Sequence, residues 1–288
     1  MVSVTTSELN YKFHSEHAPV AVGYFTVFRH SFLKDIRIQM RYKQNFVAQF
    51  IRTLVFILIF WMFALSFAFE DLPANDTGTV FLFFLSAISL MMYDGVALWS
   101  PYNTVRRDLY NGTLEAIYQT PGSRYAYYLG GTAAAALYNS VFVVPLFITL
   151  VLVASPSVTT VISLAVTILV ALSTLMMMGI LVGLTAILWK NMSALLGILS
   201  MLFQFVTGTI VPFASLPIWA QYVGYIFPIT WGLDLMRFYI FGAAWQTIYA
   251  LPVMWLILVG QLLFFAITSV VLLAKVERFG KKQGLHLL

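Results

Sequence analysis

Six stretches of this chain each hold about twenty mostly apolar residues, the length an α-helix needs to cross the hydrocarbon core of a bilayer. They fall at about 47–69, 79–101, 125–153, 159–189, 192–211 and 251–274. A backbone in lipid must satisfy its own hydrogen bonds, which leaves helices or a closed barrel as spanning structures. Uninterrupted apolar runs, rather than alternating ones, select the helix. The expected fold is therefore all-α, a polytopic membrane protein of six transmembrane helices. Composition agrees. Of 288 residues 61% are hydrophobic and only 9% charged, where soluble domains carry about a quarter. A water-soluble fold of this size has too little interior to hide so much apolar side chain.

The few charges orient the spans. Cytoplasmic loops carry an excess of Lys and Arg. Six spans gather Lys12, Arg29, Lys34, Arg37, Arg41, Lys43, Arg106, Arg107, Arg124, Lys190, Lys275, Arg278, Lys281 and Lys282 on one side, with Arg52 close to it. Arg237 alone lies on the other, beside Glu70, Asp71, Asp76 and Asp234. The reading that follows is a multi-pass protein of the cell (plasma) membrane with both termini cytoplasmic. The net charge of +5 is thus a topology signal, and no nucleic-acid partner is expected. Residues 1–24 read as a polar N-terminal tail without the apolar core of a secretory leader. Residues 46–274 read as one six-span domain and 275–288 as a cytoplasmic tail.

Residues 25–45 predict an amphipathic helix ahead of the first span. Phe25, Phe28, Phe32 and Ile36 recur at helical spacing, and His30, Lys34, Arg37 and Arg41 recur on another face. Such a helix lies in the membrane interface. It serves as an anchor, or also as a cradle for a cytoplasmic partner.

Two further segments are more than connections. Residues 102–123 are polar, with a turn signal at Asn111–Gly112 that separates the second span from a short helix over 113–119. About twenty residues exceed what an antiparallel helix pair requires, which points to a docking element. Residues 211–245 are too apolar for a solvated loop, yet Pro212, Pro217, Gly224, Pro228, Gly232 and Gly242 interrupt them. Two short helices that enter the membrane and return fit this pattern, and such broken helices persist only where protein or a water-filled cavity covers them.

Isolated polar residues on the spans are candidate pathway positions. Asp94 is the first, since an acid within a span is a functional-site hypothesis by default; pairing with Arg52 is its structural alternative. Gln204 and Thr207 join it, though helix–helix hydrogen bonding also explains such residues. Asp234 and Arg237, three apart, share a helical face, which suggests mutual neutralisation. Gly179, Gly183, Ser193 and Gly197 suit close helix crossings. No catalytic residues are expected: the chain has no phosphate-binding loop, no His-Glu-x-x-His and no Gly-x-Ser-x-Gly. Without cysteine or a His cluster no metal site is expected.

Two motifs carry a family resemblance. Arg107-Asp108 through Gly112-Thr113-Leu114-Glu115, followed by Thr120-Pro121, resembles the acidic-x-x-x-Gly-Thr-Leu-Glu … Thr-Pro pattern of type-2 ABC exporter permeases, the group with daunorubicin-resistance, sodium-exporter and polysaccharide-exporter permeases. Leu216-Pro217-Ile-Trp219 … Phe227-Pro228 … Asp234-Leu-Met-Arg237 resembles their outer re-entrant segment, with Phe227 where Asn is common. The resemblance spans roughly 25–275. It implies a permease paired with a second copy or paralogue, driven by separate cytoplasmic ABC ATPase subunits, among membrane lipid. Arg37, Arg41, Arg107, Asp108, Gly112, Thr113, Leu114 and Glu115 become candidates for coupling to the ATPase. Trp219, Pro228, Asp234 and Arg237 become outer-gate candidates. No cofactor is expected on this chain, ATP and Mg belonging to the partner ATPase. Hydrophobic drug, lipid and glycan cargoes stay open. The alternative is an ion-coupled secondary transporter without an ATPase, for which Asp94, off-centre in its span, is the one obvious coupling group.

Overall fold

The structure, a computed structural model, describes residues 22–67, 69, 72–74, 76–188 and 192–283. The side chains of Glu115, Leu188 and residues 279–283 fall outside the described residues. So do the Glu70–Asp71 loop, the Lys190–Asn191 turn and both chain ends. The described residues form helices and connections, with no strand. In chain order the helices are α1 (Tyr24–Arg41), α2 (Lys43–Ser66), α3 (Thr77–Met91), a π-helical turn (Gly95–Trp99), α4 (Ser100–Tyr110), α5 (Leu114–Gln119), α6 (Arg124–Ala154), α7 (Val158–Leu188), α8 (Met192–Val206), α9 (Ile218–Gly224), α10 (Pro228–Phe241) and α11 (Leu251–Gln283).

Five helical stretches are long and apolar enough to cross a membrane: Lys43–Ser66, Thr77–Tyr110, Arg124–Ala154, Val158–Ile187 and Leu251–Arg278. The expected span over 192–211 is helical only as α8, whose 15 residues reach about 22 Å. Gly208, at φ +78°, takes the backbone out of the helix. The hydroxyl of Thr207 turns back to the Phe203 carbonyl and meets Thr209 Oγ1.

Two expected boundaries move. The second span does not stop near 101 but runs on to Tyr110 through the π turn and α4. Pro101 has no N–H, and its ring would crowd the carbonyl four residues back in a regular helix. The widened turn, in which Ser100 N–H reaches the Gly95 carbonyl, lets the helix continue. Likewise α11 continues to Gln283, so much of the expected C-terminal tail is helical.

The long helix α7 is the central pillar, packed on α11, α4, α10, the π turn and α6. Its two glycines make the closest approach. A methyl group at Gly179 would sit 2.7 Å from the Val96 carbonyl oxygen, and one at Gly183 2.7 Å from Pro101 Cβ. Both are expected small-residue contacts; Gly179 seats the π turn and Gly183 the start of α4. Gly197 borders open space and makes no such crossing. The main core is aromatic and aliphatic, with Phe83, Phe84, Leu85, Ile88 and Leu90 of α3 fully buried beside Phe60 of α2.

Candidate functional site

Two polar clusters stand out, one at each end of the bundle. The first lies at the end that carries Lys34, Arg106, Arg107 and Arg124, here termed the basic end. It begins with α1, whose protein contact is made by a small polar face and not by its Phe stripe. The Phe stripe stays largely outside: Phe25 is 72% exposed, and Phe28 and Phe32 are half-buried. Ser31 and Asp35, one turn apart, are the buried pair. They face Gly130 and Gly131 of α6, where a methyl group would sit 2.6 Å from the Phe28 carbonyl oxygen and 2.7 Å from Asp35 Oδ2 respectively. Two adjacent glycines thus let α1 press its backbone against α6.

This approach assembles a network. Ser31 Oγ donates to the Tyr127 carbonyl at 2.7 Å. Asp35 Oδ1 accepts from Arg107 Nη2 at 2.9 Å, while its Oδ2 is buried without a hydrogen-bond partner. Lys34 Nζ donates to the Tyr127 hydroxyl at 2.6 Å, and that hydroxyl donates to Asp108 Oδ2 at 2.7 Å. Burial holds the Lys34 ammonium below the usual lysine range, with Asp35 and Asp108 opposing the shift. Beyond Asp108 the chain breaks. Gly112 takes φ +64°, a conformation glycine adopts without steric cost. Thr113 N–H and Oγ1 then return to the Asp108 carbonyl at 2.9 and 3.3 Å. α5 follows, anchored by Leu114 at 2% exposure. Burial pushes the Tyr118 phenol up to about 12.

Among the coupling candidates, Arg107, Asp108, Gly112, Thr113 and Leu114 therefore come together. Asp108 is turned inward, 5% exposed, so it ties helices and does not offer its carboxylate to solvent. Arg37 and Arg41 stand apart on the exposed face of α1. Glu115 opens α5, but its side chain is outside the described residues. Sequence reasoning missed Asp35 and Tyr127. The Gly130–Gly131 pair, which marks a helix contact on α6, was the signal available.

The second cluster lies at the opposite end, around α10. Pro228 starts α10 at its first turn, where the missing N–H costs nothing. Asp234 Oδ1 accepts from Trp245 Nε1 at 2.7 Å and Oδ2 from the Ile248 N–H at 2.9 Å. Arg237, 1% exposed, donates from Nη1 to the Gly208 carbonyl at 2.7 Å and from Nε to Ser86 Oγ at 3.4 Å, with its guanidinium 3.7 Å from the Phe83 ring centre. The expected neutralising pair is therefore not a direct ion pair. Asp234 and Arg237 share a helix but point to different partners, and the ion pairs among the described residues are elsewhere. Each bonds a backbone group that α10 brings within reach, while Arg237 Nη2 is buried without a hydrogen-bond partner. Trp219 is not part of this cluster: it is 65% exposed on α9, as an interfacial tryptophan would be. A cavity of about 230 Å³, lined by Phe213, Gln221, Tyr225 and Trp245 among others, adjoins Asp234.

Of the pathway candidates, Asp94 and Gln204 meet, with Arg52, around a cavity of about 100 Å³ between α2, α3 and α8. Thr207 is buried away from it in its own hydroxyl pair. No group of His, Asp or Glu able to hold a metal ion occurs among the described residues.

Long apolar helices, a broken helical pair at one end and a fastened basic end define a multi-pass membrane protein of the transporter class. The chain belongs to the ABC-2 type transporter family, whose membrane-domain model matches residues 23–241. It is the permease component, the part of such a transporter that is not the ATPase, and permeases of this family typically work with an ATPase partner. Comparison with curated proteins gives no match.

Proposed function

We propose that this chain is the permease of an ATP-driven exporter, pairing with a second permease and docking a separate ATPase at its basic end. On this reading the chain spans the plasma membrane six times, with α8 and the residues after it as the shortest crossing and both termini in the cytoplasm. The observation that carries it is the link from Lys34 through the Tyr127 hydroxyl to Asp108. Three elements meet in that one link: α1, the first turn of α6, and the end of the second span. Bonds from Thr113 tie the start of α5 to the same Asp108.

A push on α1 or α5 by an ATPase that closes on nucleotide would reach the spans as a rigid-body displacement. Gly112 gives α5 freedom to tilt, and Asp108 keeps that tilt attached to α4. Arg37 and Arg41, exposed on α1, and the outward side of α5 are the surfaces for docking. Asp108 and Arg107 transmit. At the opposite end, Asp234 and Arg237 fix α10 of the broken pair as part of an outer gate.

The test is reconstitution of the purified chain with its companion ATPase. ATP hydrolysis should rise in the complex, and cargo should move only when nucleotide is hydrolysed. Full transport in liposomes without any nucleotide-hydrolysing chain, driven by an ion gradient, would instead establish a secondary carrier.

A further inference from the structure

The cavity lined by Arg52, Asp94 and Gln204 has no part in fastening either end of the bundle. Its other walls are Phe56, Phe60, Ile88, Met91 and Met92. We propose that it receives the zwitterionic headgroup of a single-chain or double-chain amphiphile, which names the cargo class of the permease reading above and rests on it.

The charges come first. A guanidinium and a carboxylate line one small cavity, yet they are not among the ion pairs of the described residues. Opposite charges held apart near lipid are costly unless something between them supplies both countercharges. A headgroup with a cationic nitrogen and an anionic phosphate or carboxylate does so, its nitrogen on Asp94 and its anion on Arg52.

The order of the walls comes second. Along α2, Phe56 and Phe60 follow Arg52 at one-turn intervals, away from the basic end. Along α3, Met91 and Ile88 lie on the same side of Asp94. Asp94 itself is about 25 Å from the start of α3 at Thr77. The cavity is therefore polar toward the basic end and apolar toward the membrane midplane. An amphiphile in the leaflet at the basic end has that same polarity.

Size and access agree. Pockets for whole drug-sized ligands run to roughly 300–1,000 Å³, so about 100 Å³ fits a headgroup with its first carbons. Arg52 is exposed, and its neighbours Leu54, Val55 and Leu58 face outward. The cavity thus opens sideways, where a lipid chain can remain in the bilayer.

The test uses the purified full-length chain without an ATPase, so its outcome does not depend on coupling. Radiolabelled lysophosphatidylcholine is competed by lysophosphatidylglycerol, by an alkyltrimethylammonium of equal chain length, and by glycerophosphocholine, the headgroup without a chain. The zwitterion should win over each by about tenfold. Asp94→Asn should erase its advantage over the anionic probe, and Arg52→Gln its advantage over the cationic one. If either variant fails to fold, Gln204→Glu should weaken the anionic probe selectively. Equal competition by the three chained probes, or an order unchanged in these variants, overturns the proposal. Effective competition by glycerophosphocholine also overturns it, as a site for a free zwitterion.

Discussion

The hydroxyl of Tyr127 donates to Asp108 Oδ2 at 2.7 Å, so one phenol on α6 holds the buried carboxylate at the end of the second span. The same oxygen accepts from Lys34 of α1. Removing that hydroxyl leaves a buried carboxylate with an unmade hydrogen bond, at a cost of about 1–3 kcal/mol. Tyr127→Phe should therefore lower the thermal unfolding midpoint of the purified chain. In the reconstituted complex it should reduce cargo-stimulated ATP hydrolysis while the ATPase still copurifies. Undiminished stimulation would remove the link from the coupling route.

Gly130 and Gly131 should differ in tolerance. An alanine at 130 meets the Phe28 backbone at 2.6 Å, whereas at 131 it meets the end of the Asp35 side chain at 2.7 Å. A carboxylate can rotate and a packed backbone cannot. Gly130→Ala should cost about 1–3 kcal/mol and raise proteolysis of α1; Gly131→Ala should cost less and chiefly perturb the Arg107 bond. Equal effects on thermal unfolding would contradict this packing.

Arg237→Ala should destabilise by about 3 kcal/mol, since it removes a charged donor from the Gly208 carbonyl and a cation from the Phe83 face. Because Asp234 and Arg237 bond to different partners, the double variant with Asp234→Asn should be near additive, with coupling below about 1 kcal/mol. A denaturation cycle in which the second substitution rescues the first would restore the neutralising pair.

Asp76 caps α3, accepting from Thr79 N–H at 3.1 Å and from Thr79 Oγ1 at 2.6 Å. Those bonds, the side-chain one foremost, hold its carboxyl below the usual range. The carboxylate is the form they favour, so the cap contributes fully above the unfolded value near pH 4 and is lost as pH falls through the lower folded value. Asp76→Ala should cost about 1 kcal/mol. Hydrogen exchange at the Thr79 and Val80 amides should speed up in the variant at neutral pH and match wild type in strong acid. A difference that persists in acid would exclude the carboxylate as the cause.

Much of the candidate site was legible locally. Gly112 with a short helix after it follows from a turn signal, and the broken helical pair over 211–245 from its prolines and glycines. Asp35 was not legible, because the periodicity of α1 separates only a membrane-facing Phe stripe from a basic one. The protein contact is instead made by a face that is small and polar. Nor does a three-residue spacing reveal that Asp234 and Arg237 bond to different partners, since side-chain direction depends on what surrounds the helix.

What the sequence determined alone is the solvent and the element: long apolar runs must be helices in lipid, and sparse cations must sort to one end. Those are properties of single segments against their surroundings. The tertiary structure decided which face of each helix meets another and which distant groups complete one another. Asp108 with Tyr127, Arg237 with the Gly208 carbonyl, and Arg52 with Asp94 around one cavity are of that kind. Such pairings depend on how closely two helices can approach, and that is set where glycines on one helix meet the backbone of another.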